Sequence, residues 1–260
     1  MNLSKWRSLY FEIASKMGLS EFKDRYAALI LSKLLDNRRC ELNLLKFKLL
    51  KKTAIVYGAG PSLEDNLAEI TKHQLYEKCV NISADGATEA LLNFGLIPDV
   101  VTTDLDGNFE ALNRANKQGS LLVVHAHGDN IDKLKIYVPL LKGIVIGSNQ
   151  VGENFPHVYC FGGFTDGDRG VFLAKSMGAS VIILAGMDFG AEIGKYSKKI
   201  EEDLKERKLL KLEIGKWLVE EVAKEENVLL FNLSFKGEDI RGVKRVNISD
   251  VKRCISQSLR

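Results

Sequence analysis

The chain has 260 residues, 45% hydrophobic and 27% charged, with a net charge of +3; this is the profile of a folded chain with a sizeable core and excludes a disordered, collagen-like or coiled-coil protein. Four cysteines, Cys40, Cys79, Cys160 and Cys254, lack any Cys-x-x-Cys pairing, and neither a signal peptide nor an apolar run of membrane-spanning length is present, so a reduced, cytoplasmic setting without a membrane partner is expected. The charge is uneven: residues 1–52 carry 12 Lys and Arg against 5 Asp and Glu, leaving 25 against 29 for the rest.

That basic head, residues 1–52, places Leu29, Ile30, Leu34, Leu44, Phe47 and Leu50 at three- and four-residue intervals without proline, which predicts two or three helices as an N-terminal helical extension. Its cations alternate with leucines and read as a solvated face rather than a nucleic-acid surface. At Thr53 the pattern changes to a buried strand running into Gly58-Ala59-Gly60-Pro61-Ser62-Leu63. A strand, a glycine turn and a helix start would present backbone N–H groups to a phosphate, although neither the third glycine of a dinucleotide fingerprint nor a Walker lysine is present.

The same unit of apolar run and polar turn then recurs down the chain. Val80 to Ala84 leads into Asp85-Gly86, Val100 and Val101 into Asp104 and Asp106, and Leu121 to Val124 into His125-Ala126-His127-Gly128-Asp129. Ile144 to Ile146 leads into Asn149 and Gln150, Tyr159 precedes a turn with Thr165-Asp166-Gly167-Asp168-Arg169, and Val181 to Ala185 leads into Asp188. Such alternation predicts an α/β fold with a mostly parallel sheet flanked by helices in three layers. From Glu192 to Glu226 a charged segment with Leu210, Ile214, Trp217, Leu218 and Val222 on one face reads as an amphipathic helix, with Lys195, Lys199 and Lys211 as phosphate-binding candidates. The expected division is a helical region 1–52, an α/β catalytic domain 53–235 with a last strand from Val228 to Phe231, and a C-terminal tail 236–260 with a short helix.

In open α/β sheets ligands bind beyond the carboxyl ends of the strands. Asp85, Asp104, Asp106, Asp129, Asp166, Asp168 and Asp188 all fall there. Asp104 and Asp106 share one side of an extended chain by their two-residue spacing. Hard carboxylate oxygens hold Mg²⁺ against polyphosphate, so metal-assisted phosphoryl or pyrophosphoryl transfer is the leading chemistry. About half of the seven are expected as caps or turn residues, because Asp is favoured at both. A zinc hydrolase on His125, His127 and Asp129 is a weaker reading, since only His73 and His157 remain elsewhere. No Ser or Cys sits in a nucleophile elbow.

Asp85-Gly86-Ala87, Gly95-Leu96-Ile97-Pro98-Asp99 and Asp104-Leu105-Asp106-Gly107 together resemble the motifs of thiamin pyrophosphokinases, with Ala87, Thr103 and Gly107 departing from that pattern. Adding the glycine turn at 58–63, His125 to Asn130, Gly163 to Arg169 and Gly186-Met187-Asp188-Phe189-Gly190, residues 53 to 200 resemble the archaeal 6-hydroxymethyl-7,8-dihydropterin pyrophosphokinases, the MptE-like family. The glycine turn alone is also similar to sialyltransferase-like glycosyltransferases, and a nucleotide-binding module without turnover is a third alternative.

The MptE-like resemblance implies transfer of pyrophosphate from ATP to a reduced pterin with Mg²⁺, in folate or methanopterin synthesis. On that basis Asp104 and Asp106, assisted by Asp85 or Asp129, hold Mg²⁺. Gly58, Gly60, Pro61, Ser62 and Arg169 bind phosphate. Asp85, Gly86, Asn149, Gln150, Thr165, Asp166 and Asp168 contact the nucleotide or the pterin, and His127 is a candidate proton acceptor. A homo-oligomer is left open.

Overall fold

The computed structural model describes residues 2–38, 41–190, 192–197 and 205–258; Cys40 and Lys199 lie outside them. Each apolar run forms a strand whose alternate residues face opposite layers. In β1 (Thr53–Tyr57) all five residues are buried, Ala54 and Val56 packing into one helical layer and Ile55 and Tyr57 into the other. A strand covered on both faces needs no polar alternation. The remaining strands are β2 (Val80–Ala84), β3 (Val100–Thr103), β4 (Leu121–Ala126), β5 (Val145–Asn149), β6 (Val158–Tyr159), β7 (Val181–Ala185), β8 (Leu229–Asn232) and β9 (Lys244–Arg245). They form one nine-stranded sheet, every neighbouring pair parallel, in the order β6-β5-β4-β3-β2-β1-β7-β8-β9.

That order contains one reversal, between β1 and β7. The chain winds from β1 outward to β6, then crosses back to lay β7 on the other side of β1. Tyr57 pairs with Ala185, so the loops beginning at Gly58 and Gly186 leave the sheet side by side. The helix after β1, α4 (Leu63–Lys72), packs on one face, and the helix that follows β7, α9 (Lys205–Ala223), packs on the other. Splayed connections of this kind open a crevice at the carboxyl edge.

The helical head does not stand apart from this body. Helices α1 (Leu3–Met17) and α3 (Leu42–Leu49) contribute Trp6, Tyr10, Ile13, Leu45 and Leu49 to the core cluster that also holds Val56, Ile82 and Phe172. Helix α2 (Glu21–Leu35) places Ala27, Ala28, Leu31 and Leu35 against the face of β4 and β5. Asn2 caps α1, its side chain accepting from Lys5 N at 2.8 Å, and Gly18 ends that helix in the left-handed region at φ 66°. The C-terminal segment likewise adds the edge strand β9 and α10 (Ile248–Ser258), whose Val251 and Ile255 pack in the core.

Helices α5 (Asp85–Asn93), α6 (Phe109–Lys117) and α7 (Ile131–Tyr137) complete the layer containing α4. On the other side, α8 (Asp166–Ser176) lies buried beneath β1, β2, β3 and β7. Gly170 permits that approach, because a Cβ there would sit 2.9 Å from Val56 Cγ1. Of the expected long charged helix only Lys205–Ala223 is helical among the described residues, whereas Glu192 to Ser197 form a strap without helix. No helix among the described residues is long and apolar enough to cross a membrane.

Trp6 is 2% exposed, meets Phe172 edge-on at 5.5 Å and donates its indole N–H to Gln150 O at 2.9 Å. Trp6→Ala is expected to cost about 3–5 kcal/mol and to lower the urea midpoint of a single transition reported alike by sheet and helix signals. An N-terminal segment that melts separately would contradict a shared core.

Candidate functional site

Three carboxylates meet at the ends of β2 and β3. Asp85 opens α5 directly after β2, and Asp104 and Asp106 follow β3. Between the last two, buried Leu105 adopts φ 63°, and its N–H donates to Thr103 Oγ1 at 2.8 Å. A non-glycine residue held in the left-handed region is a local strain that its surroundings must enforce; here Leu105 is anchored in the core while its two neighbours turn toward Asp85. One ligand oxygen from each of Asp85, Asp104 and Asp106 lies within 4.8 Å of the others. A side chain at Gly107 would collide with Asp85 Oδ1, so glycine is required there.

Asp85 Oδ2 accepts from the Thr103 hydroxyl and from Gly107 N at 3.3 Å, but Asp85 Oδ1 and Asp104 Oδ1 are buried without a hydrogen-bond partner. Burial pushes the Asp85 carboxyl up to about 7, helped by the charges of Asp104 and Asp106 and opposed by the Thr103 and Gly107 bonds. Burial also acts to raise Asp104, yet the hydrogen bond from His127 and the positive charge of Arg169 outweigh it and hold that carboxyl below the usual range. Two orphaned carboxyl oxygens in a convergent trio are costly unless a cation satisfies them. Oxygen donors of this type fit Mg²⁺.

Cations and donors surround the trio. His127 Nε2 lies 3.3 Å from Asp104 Oδ2 and Asp129 N donates to His127 Nδ1 at 3.3 Å. The ring proton therefore sits on Nε2 and faces Asp104, so the imidazole orients a carboxylate and offers no lone pair as the expected proton acceptor. Arg169 is 7% exposed and pairs with Asp166 at 3.0 Å, its Nε buried without a partner. Burial, then the charge of Asp104, raises the Asp166 carboxyl well above its ordinary value.

Four expected ligands are used elsewhere. Asp168 is fully buried at the start of α8, accepting from Phe164 N and Thr165 Oγ1 and from Thr165 N at 2.9 Å; it is a helix cap rather than a reader of substrate. Asp129 is exposed on the loop after β4 and stays outside the acidic trio. Asn149 is buried and bonds to Glu153 O at 2.9 Å and Val151 N at 3.0 Å. Gln150 is buried against Asp24, His125 and Arg169. The zinc reading fails on the same geometry: β4 extends through His125, which is buried and hydrogen-bonded to Ser148 at 3.0 Å, and burial lowers its basicity well below the ordinary value.

The glycine turn also differs from expectation. Gly58 N donates to Ala185 O at 2.9 Å, Gly60 N to Gly186 O at 2.8 Å and Ser62 N to Asp188 Oδ2 at 3.0 Å. These amides are committed to the β7 loop and are not free for phosphate. Asp188, the remaining acidic strand-end residue, also accepts from the Ser62 hydroxyl. It fastens the β1 loop to the β7 loop across the reversal.

Over this edge lies a cleft of about 1010 Å³. Its floor comprises Gly58 to Pro61, Asp85, Gly86, Asp104, Asp106 and Gly107; Thr165, Asp166 and Arg169 form one wall, and Met187 and Phe189 another. Arg207, Lys208 and Lys211, from the first turns of α9, line the same cleft. Of the lysines expected to bind phosphate, Lys195 and Lys211 both line the cleft; Lys195 also pairs with Glu64 at 2.8 Å in the 192–197 strap, whose Tyr196 hydroxyl meets the same carboxylate at 3.0 Å. Arg207 and Lys208 were not anticipated; their only signal is spacing of four and three residues from Lys211 along a helix.

A cleft with an acidic floor and a basic lip suits a metal-bound polyphosphate. The profile of the family described as 6-hydroxymethylpterin diphosphokinase MptE-like matches residues 30–194. A Methanocaldococcus jannaschii protein named 6-hydroxymethyl-7,8-dihydropterin pyrophosphokinase is 42% identical over 229 residues, covering 84% of this chain and 95% of the relative. Relatives of the same name from Methanothermobacter thermautotrophicus, at 44% over 76% of this chain and 83% of the relative, and from Pyrococcus furiosus, at 42% over 85% and 94%, align as well. Among solved structures, the MAf glycosyltransferase from Magnetospirillum magneticum AMB-1 superposes with a TM-score of 0.58 at 16% identity, covering 94% of this chain and 42% of that one. At that identity the likeness establishes the fold alone. By the span of the profile and the identity to the archaeal relatives, this chain belongs to the MptE-like 6-hydroxymethylpterin diphosphokinase family.

Proposed function

We propose that the chain transfers the pyrophosphoryl group of ATP to the hydroxymethyl oxygen of 6-hydroxymethyl-7,8-dihydropterin, releasing AMP, in a cytoplasmic route of pterin biosynthesis. The observation that carries this reading is the pair of buried, unpartnered oxygens, Asp85 Oδ1 and Asp104 Oδ1, in a trio that shares its cleft with Arg207, Lys208 and Lys211. Asp85, Asp104 and Asp106 hold Mg²⁺, which when bound neutralises charge on the triphosphate and polarises its phosphorus centres. Arg207, Lys208 and Lys211 bind phosphate oxygens, and Arg169 balances the acidic wall at Asp104 and Asp166.

The pterin hydroxyl attacks the β-phosphorus in line and releases its proton to water, while the bond to the oxygen bridging the α- and β-phosphorus atoms breaks and that oxygen leaves on AMP. Catalysis comes from positioning and charge compensation, so no strong base is required. His127 serves by holding Asp104. Met187, Phe189 and Tyr196 give the cleft apolar surface suited to the flat heterocycles of both substrates. Purified protein given ATP, Mg²⁺ and the reduced pterin is expected to yield AMP and a pterin diphosphate in equal amounts. ADP as the nucleotide product, or no nucleotide turnover at saturating substrates, would contradict the reading.

Asp106→Asn is expected to lower kcat by about 10²-fold or more without shifting the thermal midpoint downward, because it removes one charge from a repelling trio. A rate within threefold of the parent would remove Asp106 from the site. Lys211→Ala is expected to raise the KM for ATP about tenfold and to leave the KM for the pterin unchanged; a rise confined to the pterin would reverse the assignment of the basic lip.

A further inference from the structure

Outside the lining of the cleft lies a carboxylate that the chemistry just described does not use. Asp24 of α2 is 3% exposed yet ion-pairs with no cation among the described residues. It is saturated by hydrogen bonds instead. Asp24 Oδ2 accepts from the Tyr10 hydroxyl at 2.8 Å and from Gln150 Nε2 at 2.7 Å, and Asp24 Oδ1 accepts from Gly128 N at 2.7 Å. The phenol of Tyr10 is driven far above its ordinary pKa by burial and by this carboxylate, so it remains a donor. A carboxylate can only accept, and that fixes the direction of every bond beyond it.

Two branches lead from it to the site. In the first, Gln150 must turn its NH₂ toward Asp24, which leaves Oε1 facing His125 Nε2 at 3.3 Å and Arg169 Nη2 at 3.5 Å. The amide is thereby held as an acceptor behind Arg169, whose other Nη1 pairs with Asp166. In the second, Gly128 N is tied down in the loop that carries His127 to Asp104 Oδ2. Asn130 closes the same loop, donating to Asp104 O at 2.8 Å and His125 O at 2.7 Å and accepting from His127 N at 3.0 Å. Both residues reached, Asp104 and Arg169, line the cleft.

We infer that Asp24 is a positioning residue through which the N-terminal helices set the orientation of Asp104 and Arg169, by way of the Gly128–His127 loop and Gln150. It touches neither substrate nor metal. The inference rests on the metal site proposed above, but its primary readout does not require turnover. Outer-shell partners of metal ligands typically change metal affinity or activity by about 10–100-fold when mutated.

The test compares Asp24→Asn with the parent by Mn²⁺ titration, followed by electron paramagnetic resonance, alongside kcat, KM for both substrates and the thermal midpoint. In Asp24→Asn an NH₂ faces either Gly128 N–H or the Gln150 NH₂, so one branch loses its acceptor. The expected result is Mn²⁺ affinity and kcat each reduced by about tenfold with an unchanged KM for the pterin. The double substitution Asp24→Asn with Gln150→Glu restores an acceptor opposite the new donor and keeps one facing Arg169. Recovery of Mn²⁺ affinity to within threefold of the parent is expected, and this variant is read alone if the single one does not fold.

Mn²⁺ affinity and kcat within twofold of the parent in a folded Asp24→Asn protein, even one with a lowered midpoint, would overturn the inference by leaving Asp24 a purely structural residue. So would a folded double variant without recovery. A parent that binds Mn²⁺ but forms no pterin diphosphate sinks the proposed reaction and leaves the positioning test intact. A parent that binds no Mn²⁺ and turns nothing over removes both.

Discussion

Mutual repulsion of three carboxylates within 4.8 Å of one another is the constraint on which the rest of the strand-end edge depends. Bringing such charges together out of water is unfavourable at any plausible interior dielectric. Each nearby feature reduces that cost without removing it. The Thr103 hydroxyl and Gly107 N–H satisfy one oxygen of Asp85, and His127 satisfies one of Asp104. Arg169 supplies a compensating charge and Asp85 holds its proton to higher pH than an ordinary aspartate. Even so, one oxygen on each of Asp85 and Asp104 remains without a donor. The edge keeps unsatisfied carboxyl oxygens of the kind a hard cation accepts, and Arg207, Lys208 and Lys211 of α9 line the same cleft.

The sheet makes this edge rigid. Reversal of strand order between β1 and β7 opens the crevice, and Asp188 with Ser62 closes its base by joining the two loops. Two of the non-glycine residues at positive φ stand where side chains must be aimed: Leu105 between two aspartates, and Phe189, at φ 47°, beside Asp188. Both are anchored by burial. The N-terminal helices belong to the same design, since they cover the sheet with Trp6, Leu31 and Leu45 and also meet the polar groups behind the site through Asp24. A segment with ordinary amphipathic composition thereby reaches the chemistry through hydrogen bonds of fixed direction.

Local pattern and chemistry made a good part of this legible. Apolar runs without polar alternation marked strands buried on both faces, and the spacing of Asp104 and Asp106 after Val100 and Val101 marked the centre of the site. What escaped was whatever depends on strand order, which no local pattern encodes. Gly58, Gly60 and Ser62 have the form of a phosphate loop, but β7 is the neighbour of β1 and its loop consumes their amides. Asn149 and Gln150 end a strand like the others, yet β5 lies three strands from β2; Asn149 bonds within its own loop and Gln150 bonds to Asp24 behind Arg169, and neither lines the cleft. Asp129 was separated from the trio by two further residues of β4, which drew His125 into the sheet and left the acid on an exposed loop. The basic lip on α9 was hidden by the resemblance of Arg207 and Lys208 to any solvated helical face.

The most direct test of the account is anomalous diffraction from crystals grown with Mn²⁺ and a non-hydrolysable ATP analogue. It predicts a manganese peak ligated by oxygens of Asp85, Asp104 and Asp106, with the analogue's phosphates lying between that ion and Arg207, Lys208 and Lys211. A peak on Asp129, or a triphosphate seated on the Gly58–Ser62 turn with no ion at the trio, would contradict it.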